Sequence, residues 1–207
     1  MLDGFLLGLE AFSSWQVWLG LLGGVLIGAG LYLSYGLVLG GLLPVAVALL
    51  TRRVAPLITG GIGVAAVVAA FAAAGFWWLD GYEAVKLRYY QPTEFGLLRP
   101  YEYWVWANLA ALVLVIGPAG VAGLRRAVQR PTAAPAAVLA LVAAGVIAVL
   151  VADLSGLSKA ETERIWLPFA IWIMTATALL PRASARWWLL GQAVLALAVN
   201  HLLLTVW

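Results

Sequence analysis

Cysteine is absent from the 207 residues and histidine occurs once. Disulfides, thiolate metal centres and histidine-rich metal sites are thereby excluded. Charge is scarce too: Asp, Glu, Lys and Arg together make up 10% of the chain. There is no G-x-x-x-x-G-K-[ST] loop, no G-x-G-x-x-G following a strand, no H-E-x-x-H and no G-x-S-x-G. The signatures of nucleotide hydrolysis, zinc proteolysis and serine hydrolysis are therefore missing. The N-terminus, M-L-D-G-F-L-L-G-L-E, lacks the basic region and small-residue cleavage site of a secretory signal. No internal repeat is visible, and no acidic pair falls in the middle of an apolar run, which argues against proton-coupled transport.

What remains is strongly apolar. Hydrophobic residues account for 65% of the chain, and mean hydropathy is +1.02. Apolar runs recur from end to end, more than a soluble core of this size requires, so the fold class is all-α: a polytopic transmembrane helical bundle forming a single domain over 1–207. The net charge of +3 and the pI near 9.4 are read as basic loops at a membrane surface, not as a nucleic-acid interface.

Residues 15–50 carry no charge and are too long for one span, so they are divided into two short helices by a tight external turn at Ser34-Tyr35-Gly36, with a single long, tilted or kinked helix as the alternative. Further spans are expected near 55–78, 103–124, 136–152, 165–180 and 187–206, for about seven membrane helices. Alternate loops hold Arg52, Arg53, Arg125, Arg126, Arg130, Arg182 and Arg186, with no acid. The opposite loops hold five bases and seven acids. The positive-inside rule then places the arginine loops in the cytoplasm of a multi-pass plasma-membrane protein. Outside lie an aromatic and charged loop at 79–102, a second loop at 153–164 and the C-terminus.

The aromatic loop and its flanks combine Trp77, Trp78, Tyr82, Tyr101, Tyr103, Trp104 and Trp106 with Asp80, Glu83, Glu94, Glu102, Lys86, Arg88 and Arg99, a third of the chain's charged residues. Such rings, apolar with a polar tip, settle where acyl chains meet headgroups. Lys86, Arg88 and Arg99 are candidates to grip a phosphate, because a guanidinium donates two parallel hydrogen bonds to an oxyanion. Tyr35, Tyr89, Tyr90 and Tyr101 are candidates to stack on a sugar or isoprenoid. Equally, the bases can pair with Glu83, Glu94 and Glu102 within the loop. In the second loop, Ser158 and Glu161 have capping-box spacing, and Lys159–Glu163 and Glu161–Arg164 are spaced to pair along a helix. Glu163 and Arg164 are also substrate-binding candidates, since charges at the membrane edge are costly without partners. His201, Asn200 and Asn108 lie in apolar helices, and His201 is read as a helix-to-helix hydrogen-bonding group or an interfacial residue near the C-terminus, with a site role as the alternative.

G-L-Y-L-S-Y-G-L-V-L-G-G-L-L-P at 30–44, G-F-W-W-L-D-G at 75–81, R-Y-Y at 88–90, R-P-Y-x-Y-W-x-x-x-N-L-A-A at 99–111 and D-L-S-G-L-S-K-A-E-T-E-R-I-W-L-P-F at 153–169 form a set. Together they resemble the C-terminal half of actinobacterial polytopic membrane proteins related to the GT-C glycosyltransferases. The resemblance covers roughly residues 20–207. It implies a polyprenyl-phosphate-linked sugar as co-substrate, no other cofactor and no metal, and transfer at the external face of the cell envelope. The catalytic acid of that superfamily belongs to a first external loop with no counterpart here, so no catalytic residue is assigned. A second polytopic chain or an N-terminal half is the partner this implies. The other readings are a non-catalytic scaffold subunit for a polytopic partner and a small lipid or solute transporter.

Overall fold

The computed structural model describes residues 15–90, 100–158 and 162–202. It is 89% helical and contains no strand among the described residues. Three helices are long and apolar enough to cross a membrane, at Ala55–Ala73, Tyr101–Gln129 and Ala136–Leu154. Shorter apolar helices occupy Val17–Leu33, Tyr35–Thr51 and Leu167–Leu179. The chain divides into two compact units, residues 1–96 and 97–207.

In the first unit, α1 (Trp15–Leu33) packs along α3 (Ala55–Ala73). Gly20, Gly24 and Gly28 are spaced by four and so share one face of α1. A β-carbon at Gly24 would drive into the carbonyl of Gly60, and one at Gly28 would come within 3.1 Å of the Val64 Cα. The two backbones therefore touch, which is how helices gain packing energy in a lipid environment. Outward side chains such as Trp18, Leu22, Leu26, Ile58 and Ile62 stay exposed, as suits an acyl-chain surround.

The run at 15–50 is indeed interrupted where the sequence is polar. Ser34 is extended (φ −155°, ψ 121°), and a 3₁₀ segment at Tyr35–Gly41 leads into α2 (Leu42–Thr51). The aromatic segment differs from expectation. Its first part is not a loop but a helix, α4 (Trp78–Tyr90). Its residues pair at helical spacing: Trp78 stacks on Tyr82 (5.9 Å, 1° between planes), and Lys86 reaches back to Glu83 at 2.9 Å. Trp78 also donates from Nε1 to the Leu31 carbonyl at 3.0 Å, an acceptor close to the break at Ser34. Residues 91–99 lie outside the described residues.

The second unit is built on α5 (Tyr101–Gln129) and α6 (Ala136–Leu154). Next come α7 (Thr162–Ile165), α8 (Leu167–Ile173) continuing into a 3₁₀ segment at Met174–Leu179, and α9 (Ala185–Leu202). The span expected at 103–124 is longer than read, and the one at 165–180 is composite. Val142, Gly145, Val149 and Ala152 recur along one buried face of α6, which packs on α8. Trp166, Phe169, Ile173 and Ala176 complete that core.

The α5 segment is two helical pieces. Gly117 adopts φ 61°, ψ −173°, a conformation essentially restricted to glycine, and Pro118 follows it without an N–H to donate.

Candidate functional site

The break in α5 frees backbone groups that a membrane interior cannot hydrate. One side chain of α9 takes them up. Gln192 accepts from the Ala119 N–H at Oε1 (3.3 Å) and donates from Nε2 to the Ile116 carbonyl (3.1 Å). A β-carbon at Gly117 would collide with the same amide. Gln192 therefore splints the two halves of α5, which lets a discontinuous helix persist in an apolar surround.

Gln192 also lies between two cavities. The larger, about 820 Å³, runs between α5 and α9 from Leu189 to Asn200, with Ala111, Leu114 and Val115 forming the α5 wall. Eleven residues of helical rise make it about 16 Å long, near half of a ~30 Å hydrocarbon core. Its walls are mostly apolar. Its polar groups are Gln192 toward one end of the α9 wall, and Asn200 at the other, together with Glu163 of α7. Both cavity volumes fall in the range of small-molecule sites. The second, about 500 Å³, extends toward the start of α9 and shares Leu189 and Gln192 with the first.

Nearby, a buried polar cluster ties α5, α6 and the segment between α6 and α7. Asn108 is 1% exposed and Asp153 2% exposed. Asn108 donates from Nδ2 to Asp153 Oδ1 at 2.8 Å and to the Ser158 carbonyl at 2.6 Å. Trp166 donates from Nε1 to Ser158 Oγ at 3.2 Å. The Asn108 Oδ1 has no partner among the described residues. The segment read as a wet external loop from 153 thus begins as protein interior, because the last turn of α6 carries Asp153 inward on the face of Val149 and Ala152. Ser158 presents its hydroxyl to Trp166; its expected capping partner Glu161, like Lys159, lies outside the described residues.

The residues singled out in the sequence fall in both units. In the first, Tyr35 meets Trp78 edge-on at 5.0 Å and Tyr82 at 5.6 Å. Lys86 pairs with Glu83 and lies 5.9 Å over the Tyr82 ring. Tyr35 and Lys86 therefore share one aromatic neighbour, and the ion pair foreseen within the segment is present. Arg88, Tyr89 and Tyr90 occupy the last turn of α4, while Arg99 lies outside the described residues. In the second, Tyr101 opens α5, and Glu163 and Arg164 belong to α7, where Glu163 reaches the larger cavity. Asn200 sits 3.0 Å from the His201 ring nitrogen, an adjacent pair on an exposed face instead of a bridge between helices. Gln192 was not singled out, although a lone amide in an apolar run, together with Gly117-Pro118 inside another, signals a broken helix and its support.

Compared with known proteins, the chain matches no family model, no curated protein and no solved structure.

Proposed function

We propose that this chain is the membrane-embedded part of a GT-C-like glycosyltransferase, and that the α5–α9 groove holds the hydrocarbon chain of a polyprenyl-phosphate-linked sugar. The observation that carries the reading is the groove itself: long, mostly apolar along its walls, and polar where Glu163, Asn200 and Gln192 meet it. A single isoprenoid chain needs such walls, and the hydroxyls of its sugar need acceptors and donors at one end. Glu163 accepts from those hydroxyls, Asn200 donates and accepts, and Arg164, next in sequence, faces the phosphate.

The reading includes about seven spans in the plasma membrane, with the arginine loops cytoplasmic and the polar end of the groove external. The transfer is inverting. A carboxylate from a partner chain or a further segment takes the acceptor hydroxyl proton, the oxygen attacks the anomeric carbon, and the bond to the phosphate breaks with its electrons leaving on the phosphate.

Native mass spectrometry of the gently extracted protein tests this. A retained polyprenyl-phosphate species, lost on Ala193→Trp, is the expected result. Bulk phospholipid alone with a stoichiometric second polypeptide would instead indicate a scaffold subunit.

One observation favours a second reading, a small lipid transporter: a discontinuous helix with a cavity on either side of its break is an arrangement transporters use. Lipid transfer between leaflets of reconstituted vesicles, slowed by Gln192→Ala, distinguishes it.

A further inference from the structure

We propose that the smaller cavity is a separate binding site for a single-chain lipid with a phosphate head, anchored by Arg182. This goes beyond the glycosyl-transfer reading, and its cavity shares only Leu189 and Gln192 with the α5–α9 groove.

The cavity opens between the 3₁₀ segment at Met174–Leu179 and the first turns of α9. Ala119, Met174, Leu189 and Gln192 line it together with Trp188 and Arg182, and Arg182 is itself exposed. Among the described residues, Arg182 is the one charged side chain lining it, and no acidic side chain does. Neither a salt bridge nor a hydrogen bond engages that guanidinium among the described residues. A planar cation free to donate several N–H groups, beside a cavity of about 500 Å³ with a mixed but mainly apolar wall, is complementary to an anionic head with a hydrocarbon tail.

The surrounding side chains are held in place. Trp188 donates from Nε1 to Ser184 Oγ at 3.1 Å, and Ser184 Oγ donates to the Pro181 carbonyl at 3.0 Å. Thr177 donates to the Met174 carbonyl at 2.8 Å, leaving its methyl for the apolar wall. The indole that walls the chain and the turn that presents Arg182 are thus parts of one hydrogen-bonded element. Arg186, one helical turn further, differs: its guanidinium lies 5.4 Å over the Trp187 ring, and it does not line the cavity. It supplies a matched control with the same charge near the same helix end.

The experiment is photo-crosslinking of the full chain in nanodiscs with a hexadecyl phosphate bearing a diazirine at the chain end. Labelling is expected within 174–192, with unlabelled hexadecyl phosphate competing and hexadecanol failing to compete. Arg182→Gln should reduce labelling at least fivefold, and Arg186→Gln should leave it unchanged. Equal loss in both variants, no loss in Arg182→Gln, or equal competition by hexadecanol would overturn the proposal. Should Arg182→Gln fold poorly, Ala178→Trp fills the cavity and keeps the charge; undiminished labelling in that variant would equally refute it. Retention of polyprenyl phosphate in the α5–α9 groove is read separately, so either reading can fail alone.

Discussion

The two units solve the same problem differently. The first brings α1 and α3 together through glycine faces and covers one end with stacked rings: Tyr32 on Phe71 at 3.8 Å, Trp78 on Tyr82. Its described residues show no buried charge. The second buries Asn108, Asp153, Ser158 and Thr162, breaks its longest helix in mid-course and leaves two cavities beside the break. Close backbone packing is sufficient where a unit only has to cohere. Buried polar groups and a discontinuous helix cost stability, and both are concentrated in the second unit, the one on which the two proposed ligand sites rest.

The comparison can be broken by substitution. The largest effect is expected at the α1–α3 contact: Gly24→Val should destabilise by about 3 kcal/mol or more through overpacking. Gly23→Val, where a β-carbon meets nothing within 4 Å, should be nearly silent. Thermal unfolding in detergent checks the pair, and hydrogen exchange should rise in residues 15–73 and not in 101–202.

Next is Asn108→Ala, which leaves Asp153 and the Ser158 carbonyl without their buried donor and should cost about 2–3 kcal/mol. A loss under about 0.5 kcal/mol, the ordinary surface value, would show that this cluster is not structural and would erase the contrast between the units. Gln192→Ala should cost about 1–2 kcal/mol, since it removes both hydrogen bonds across the α5 break. Hydrogen exchange at Ala119 reports it directly. Smallest is Lys86→Gln: its pair with Glu83 is exposed, so the change should stay under about 1 kcal/mol in the same melts.

Much of this was legible beforehand. Apolar runs between basic clusters located most helices, and the polar interruption at Ser34-Tyr35-Gly36 marked a real break. Composition drew attention to the aromatic stretch after Gly75 and gave no sign of the cavity along α5 and α9. The reason is physical: rings and charges announce themselves in sequence, whereas a groove is made by small side chains such as Ala111, Ala193 and Ala196 that announce nothing. Asp153 was read as wet because it ends an apolar run next to Ser155 and Gly156, and only the packing of α6 against its neighbours shows that its face turns inward. The helical character of 78–90 is hidden because its apolar residues are spread around the helix and mixed with charge, so no single apolar stripe stands out.

The Gly117–Gln192 arrangement has a consequence for how the sequence can change over time. A side chain at 117 is excluded while the amide of 192 occupies that space, and losing the amide strands the backbone groups of Ala119 and Ile116. Neither position is free to drift by itself. The two should be inherited as a pair, with a homologue that closes the helix at 117 also free to place an ordinary apolar residue at 192.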